Sequence, residues 1–138
     1  MSDILHGFRI DSKIPPEQYS PLTLAYLGDC VYELYVRSHL LQKGNAPINV
    51  LHKRATKFVK ASAQAEFFCK IEDKLTEKEK DIYRRGRNAK SRPPKNADMI
   101  DYKVATGLES LIGYLYLRGE EERLCVLLSE LAELISSV

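Results

Sequence analysis

Residues 24–33 read Leu24-Ala25-Tyr26-Leu27-Gly28-Asp29-Cys30-Val31-Tyr32-Glu33. No proline or turn cluster interrupts them. Apolar residues recur at helical spacing: Leu24, Leu27, Val31 and Leu34 form one stripe, while Ala25, Val36 and Leu40 lie on another side with Asp29. A helix apolar on two sides is central in a bundle, or buries its second face in a subunit interface. An ionised carboxylate inside such a helix is costly unless a positive group pairs with it. Asp29 therefore marks either a buried ion pair or a bound cation.

Reading outward, Ser20-Pro21 supplies an N-cap and a first-turn proline, and Gly44 ends this helix after about Gln42. Pro47 opens a second helix, expected to run unbroken from about Ile48 to Ile71. Its pattern is Leu51, Ala55, Phe58 and Val59, then Ser62, Ala65 and Glu66, with Lys53, Arg54, Lys57 and Lys60 on the other side. Thr76-Glu77-Lys78-Glu79 is a capping box for a third helix ending near Gly86. A fourth runs from about Asp98 to Leu117 on the stripe Leu108, Leu111, Ile112 and Leu115, and Gly119 stops it. A fifth carries Leu124, Leu127, Leu128, Leu131, Leu134 and Ile135. No alternating strand and no internal repeat is present, so the fold class is all-α.

The organisation is one helical domain over residues 20–138, preceded by an arm over 1–19 that lacks periodicity and contains Pro15-Pro16. With 138 residues, 44% of them hydrophobic, and eight tyrosines, the chain is folded rather than disordered. No apolar run approaches a membrane span, and the first residues carry no secretory signal. Cys30, Cys69 and Cys125 are odd in number and scattered, which points to reduced thiols and a cytoplasmic setting. His6, His39 and His52 have no ligand spacing. Tyr26, Tyr32 and Tyr35 are expected to pack, their hydroxyls finding polar partners.

Net charge is only +2, but it is unevenly spread. Residues 53–95 hold fourteen Lys and Arg against six Asp and Glu, a local net of +8. Such polarity suits an anionic partner on one side. Arg84, Arg85, Arg87, Lys90, Arg92 and Lys95 fall within twelve residues with no acid between them, among the neutral donors Asn88, Ser91 and Asn96. Arginine offers forked donors suited to phosphate oxygens. The stretch from Arg87 to Asn96 is a loop by its prolines and polar content, and it reads as a nucleic-acid contact or as a solvated charge run. It lacks interleaved aromatics, which favours a duplex read through its backbone.

Two helix glycines each sit beside a carboxylate: Gly28 precedes Asp29, and Gly113 lies one turn after Glu109. A mid-helix glycine costs about 1 kcal/mol against alanine, so a packing reason is expected. If the first and fourth helices cross at Gly28 and Gly113, Asp29 and Glu109 share one wall. Two close carboxylates repel, and a hard cation such as Mg²⁺ relieves this; the competing reading pairs each with Arg or Lys. Glu33, one turn after Asp29, reads as an acid supporting the site from behind, as a metal ligand through water, or most simply as the ion-pair partner of Arg37 one turn on.

These same residues carry a family resemblance. Leu27-Gly28-Asp29-Cys30-Val31 resembles the L-G-D-A-V signature of the ribonuclease III catalytic domain. Glu109-Ser110-Leu111-Ile112-Gly113-Tyr114-Leu115-Tyr116-Leu117 resembles that family's E-A-x-I-G-x-x-Y-L motif. Arg85-Gly86-Arg87-Asn88-Ala89-Lys90, followed by Pro94-Lys95-Asn96, resembles its minimal branch, the Mini-ribonuclease III proteins. The match runs in order from about residue 20 to 135. It implies a ribonuclease III helical bundle, a homodimer, and an endoribonuclease cutting double-stranded RNA with Mg²⁺, or Mn²⁺ in its place. It further implies maturation of the 23S ribosomal RNA precursor in the cytoplasm, away from any membrane. No appended double-stranded-RNA-binding domain is expected, so a protein partner such as a ribosomal protein, or pre-formed RNA structure, is expected to help present the RNA. Asp29 and Glu109 match the catalytic and metal-binding carboxylates. Lys53, Arg54, Lys57, Arg84, Arg85, Arg87, Asn88, Lys90 and Lys95 are the expected RNA contacts. The larger family places a glutamate where this chain has Ala25 and an aspartate where it has Thr106. That thinner set keeps open an alternative, a non-catalytic helical RNA-binding or ribosome-assembly domain.

Overall fold

In a computed structural model, which describes residues 11–138, the opening stretch lies in α1 (Pro21–Leu41). It is followed by α2 (Ile48–Val59), α3 (Ala61–Ile71), α4 (Glu77–Arg87), α5 (Met99–Leu117) and α6 (Glu121–Ser136), with no strand among the described residues. Helix ends fall where the local chemistry puts them. Ser20 accepts a hydrogen bond from the Thr23 amide at the head of α1, and Gly44 follows its end with φ +115°. Both halves of the Thr76–Glu79 capping box are formed. Asp98 accepts from the Asp101 amide to start α5, and Gly119, with φ +74°, follows its end.

α5 is the central helix. It packs against α1, α4 and α3, and from Ala105 to Leu115 every residue except Glu109 is buried. α6 closes the bundle with Leu124, Leu127, Leu128, Leu131 and Ile135 inside, as their spacing predicts. Phe68 and Tyr83 stack between α3 and α4 with ring centroids 3.9 Å apart.

Three expectations are corrected. The second helix is two helices: Lys60 is extended (φ −64°, ψ 153°) and ends α2 as it caps α3. The periodicity hides this break because both segments face one core, through Ala55 and Phe58 on α2 and Phe67, Phe68 and Ile71 on α3. Carbonyls at the break are not left orphaned. Phe58 O accepts from the Tyr32 hydroxyl at 3.0 Å, and Val59 O accepts from Gln64 Nε2 at 3.0 Å.

Secondly, α1 turns inward only one of the two apolar sides read on it, the one carrying Ala25, Val36 and Leu40, and not the Leu27, Val31 and Leu34 stripe. Its buried row is Leu24, Ala25, Gly28, Tyr32, Val36 and Leu40, whereas Leu27 and Val31 are half-buried and Leu34 is exposed. The contact of Gly28 with α5 sets this rotation. Thirdly, Tyr26 does not pack: it is 80% exposed.

The arm expected over residues 1–19 is described only from Asp11 onward, so His6 lies outside the described residues. Pro16–Gln18 form a 3-10 turn, and Tyr19 packs against the core. Among the described residues no helix is long and apolar enough to cross a membrane.

Candidate active site

α1 and α5 cross where both lack a Cβ. A Cβ on Gly28 would lie 1.7 Å from the carbonyl oxygen of Glu109, and one on Gly113 would lie 2.0 Å from that of Leu24. No side chain fits in either place, so backbone meets backbone, as the two glycines predict. Asp29 and Glu109 ride on that contact, close enough that Asp29 raises the Glu109 carboxyl.

The two groups differ in setting. Asp29 is exposed, contrary to the expectation of a buried aspartate. Glu109 is the half-buried member and bears the electrostatic cost. Burial is the main cause that pushes its carboxyl up, to about 8, and the neighbouring Asp29 adds to it. A hydrogen bond from Gln64 acts the other way. Among the described residues neither Asp29 nor Glu109 forms an ion pair with Lys or Arg. The salt-bridge reading of the pair therefore finds no partner. Glu33 does have one: Arg37 Nη2 donates to it at 2.9 Å.

Around this pair the wall is polar on the inside. Tyr32 is fully buried, and burial, with the Glu109 charge adding to it, raises its hydroxyl above the usual range. Gln64 is 2% exposed; its Nε2 donates to Glu109 Oε2 at 3.3 Å as well as to Val59 O. Ala25 and Thr106, where the larger family has carboxylates, are both buried. The Thr106 hydroxyl donates to Tyr102 O at 2.9 Å. No group of three His, Cys, Asp or Glu side chains is clustered for a metal among the described residues. The acidic site is thus a pair.

The basic residues sit on other elements than the acidic pair. Lys53, Arg54 and Lys57 are exposed on α2; Arg84 and Arg87 are exposed on α4; Asn88, Lys90 and Lys95 are exposed after it. Arg85 differs, being half-buried with its Nη1 donating to Glu17 O at 3.1 Å. Its guanidinium ties the arm to α4. The Tyr102 hydroxyl pins the loop to α5 by donating to Ser91 Oγ at 3.0 Å.

Gln64 escaped the sequence reading. The available signal was the row Gln64, Phe67, Phe68, Ile71, spaced i, i+3, i+4, i+7 on α3, in which one amide stands among core residues. A polar group at such a position needs a buried partner.

Comparison with known proteins accords with this geometry. A family model described as the Ribonuclease III domain matches residues 22–120. The chain is 56% identical over 106 residues to a Mini-ribonuclease 3 of Thermoanaerobacter sp. (strain X514), covering 76% of this chain and 75% of that one. It is 49% identical over 121 residues to the Mini-ribonuclease 3 of Symbiobacterium thermophilum, covering 87% and 93%. An X-ray structure of a Fusobacterium nucleatum protein superposes with TM-score 0.77 at 36% identity, covering 84% of this chain and 93% of that one. Against these ribonuclease relatives the non-catalytic alternative gives way. Matched over this much of its length, with both motif carboxylates meeting at one helix crossing, the chain belongs to the ribonuclease III family, on its Mini-ribonuclease 3 branch, and is an endoribonuclease.

Proposed function

We propose that this endoribonuclease cuts double-stranded RNA, with Mg²⁺ or Mn²⁺ held by Asp29 and Glu109, and acts as a homodimer on the 23S ribosomal RNA precursor in the cytoplasm. One observation carries the reading: the α1–α5 glycine crossing brings two carboxylates close enough to act on each other, and among the described residues no basic side chain is paired to either. The donor chemistry fits a hard divalent cation, which favours carboxylate oxygens and relieves their repulsion. Bound there, the metal supplies Lewis-acid chemistry, acidifying a water and offsetting charge on the scissile phosphate.

The protein's own part is positioning. Glu109 is held from inside by Gln64, and Asp29 faces solvent, where RNA arrives. Asp29 and Glu109 are the two side chains that would hold the cation, and its remaining ligands would come from outside these two carboxylates. Exposed Lys53, Arg54, Lys57, Arg84, Arg87, Lys90 and Lys95 offer cations to phosphates, and Asn88 adds a neutral donor.

The outer face of α1 supports self-association. Leu22, Tyr26, Cys30 and Leu34 form an i, i+4 row and are all exposed, beside Asp29. A C₂ pairing on that row brings the two Asp29 residues of a dimer near each other, suited to two strands of one duplex. A ribosomal protein that presents the RNA also belongs to the proposal, since the exposed cations offer contacts to phosphates rather than to particular bases.

The test is cleavage of a long RNA duplex in Mg²⁺ by wild type and Asp29→Asn, with sedimentation of the same preparations. Wild type is expected to cut and to sediment at twice the chain's 15.8 kDa. Asp29→Asn is expected to lose more than about a hundredfold in rate, since losing a partner one layer further out already costs that much in metal sites. An intact duplex after incubation with wild type in Mg²⁺ and in Mn²⁺ overturns the reading.

A further inference from the structure

Gln64 has a role that the two-carboxylate site leaves unassigned. It lies one turn past the Lys60 break, at the head of a row that is otherwise core, and is 2% exposed. An amide there costs free energy unless its polar atoms are used. Its two N–H groups find two acceptors, Val59 O at 3.0 Å and Glu109 Oε2 at 3.3 Å. Its own Oε1 is buried with no hydrogen-bond partner among the described residues. Turning the amide over would set Oε1 against two acceptor oxygens, so the orientation with Nε2 inward is the one the surroundings select.

Holding the helix break together needs only the bond to Val59. The second bond reaches a different helix and the one carboxylate of the site that is half-buried. Glutamate has several rotatable bonds, and an unanchored one would spread its oxygens over many positions. A donor fixed in the core limits them, as outer partners orient the ligands of metal sites.

We propose that Gln64 is a positioning residue: by donating from the α3 core to Glu109 Oε2 it holds that carboxylate ready, facing Asp29, to take a divalent cation. This rests on the metal-binding reading of Asp29 and Glu109. Val59, the last residue of α2, shares the same amide, so the end of the helix bearing Lys53, Arg54 and Lys57 is one hydrogen bond from the group that anchors Glu109.

The experiment measures Mn²⁺ binding to the full chain by calorimetry, without RNA, for wild type and Gln64→Met. Methionine keeps length and volume and removes both donors. Expected are a Gln64→Met melting temperature within a few degrees of wild type and Mn²⁺ affinity about tenfold weaker. On an RNA duplex at fixed metal, kcat is expected to fall with KM unchanged, a split that general loosening of the fold would not produce. A second measurement needs no variant in the site: the side-chain amide NMR signals of Gln64 in wild type are expected to shift as Mg²⁺ saturates. Equal Mn²⁺ affinity in folded Gln64→Met, or Gln64 signals unmoved by saturating Mg²⁺, overturns this inference alone. Failure of wild type to bind Mn²⁺ overturns the proposed function, and this inference with it.

Discussion

Gly28→Ala adds one methyl, yet at this position the methyl meets backbone at 1.7 Å, which no rotamer change relieves. The helices must part, and the variant is expected to lose about 3 kcal/mol in urea denaturation, at the upper end of overpacking costs. Glu109 makes a second prediction. Its carboxyl is raised in the folded state, by burial first and Asp29 next, so the metal-free fold holds a proton that the unfolded chain releases. Stability of the metal-free protein is therefore full below the unfolded carboxylate pKa and is lost as pH rises through about 8. Thermal melts between pH 6 and pH 9, in chelator, are expected to show this decline in wild type and to lose it in Glu109→Gln. At this scale the sequence was legible where a residue broke a local rule, as a glycine within a helix does. It was silent on Gln64, whose helical propensity is ordinary and whose significance comes from a partner 45 positions away.

Elements were legible through their ends. The Thr76–Glu79 box was written in four residues because both of its bonds are local. What those residues do not show is that Glu79 also takes two hydrogen bonds from Arg123 of α6, each at 2.8 Å, while Arg123 bonds Lys74 O at 2.7 Å. Burial pushes the Glu79 carboxyl up, but the hydrogen bonds and charge of Arg123, with the Thr76 amide, outweigh it and hold the carboxyl below its ordinary value. A lowered pKa means stability present above the unfolded pKa and lost as pH falls through the folded one. Glu79→Gln is expected to cost about 2 kcal/mol at pH 7, with the gap from wild type narrowing as urea titrations move below pH 4. The Lys60 break was illegible for a related reason. No glycine or proline marks it, and the partners that stabilise it, Tyr32 and Gln64, reach it from α1 and from beyond the break.

Across the whole molecule, an uneven charge distribution along the chain became exposed cations on α2, on α4 and in the loop that follows α4. Composition shows such polarity but cannot say which cations are free. Arg85 is half-buried and tied to Glu17 O, whereas Arg87 and Lys90 are exposed. Neutralising Arg87 and Lys90 together is expected to flatten the slope of log affinity against log salt by about 1.5 to 2 for an RNA duplex. Arg85→Gln is expected to leave that slope unchanged and to lower the melting temperature, by releasing the arm. Filter binding at several salt concentrations, beside thermal melts, separates these outcomes.

The glycine crossing acts as a notch. α1 cannot settle one turn out of step along α5, because a displaced register would press a side chain into backbone where Gly28 and Gly113 now leave room. The contact that closes the bundle is also the contact that sets the spacing of the two acids, so assembly of the site and completion of folding are one event. Each correctly closed chain carries an assembled acid pair, and a chain closed out of register carries none. Recovered nuclease activity after dilution from denaturant, at chain concentrations where the proposed dimer re-forms, then counts correctly registered molecules, which makes the reaction a gauge of the fold itself.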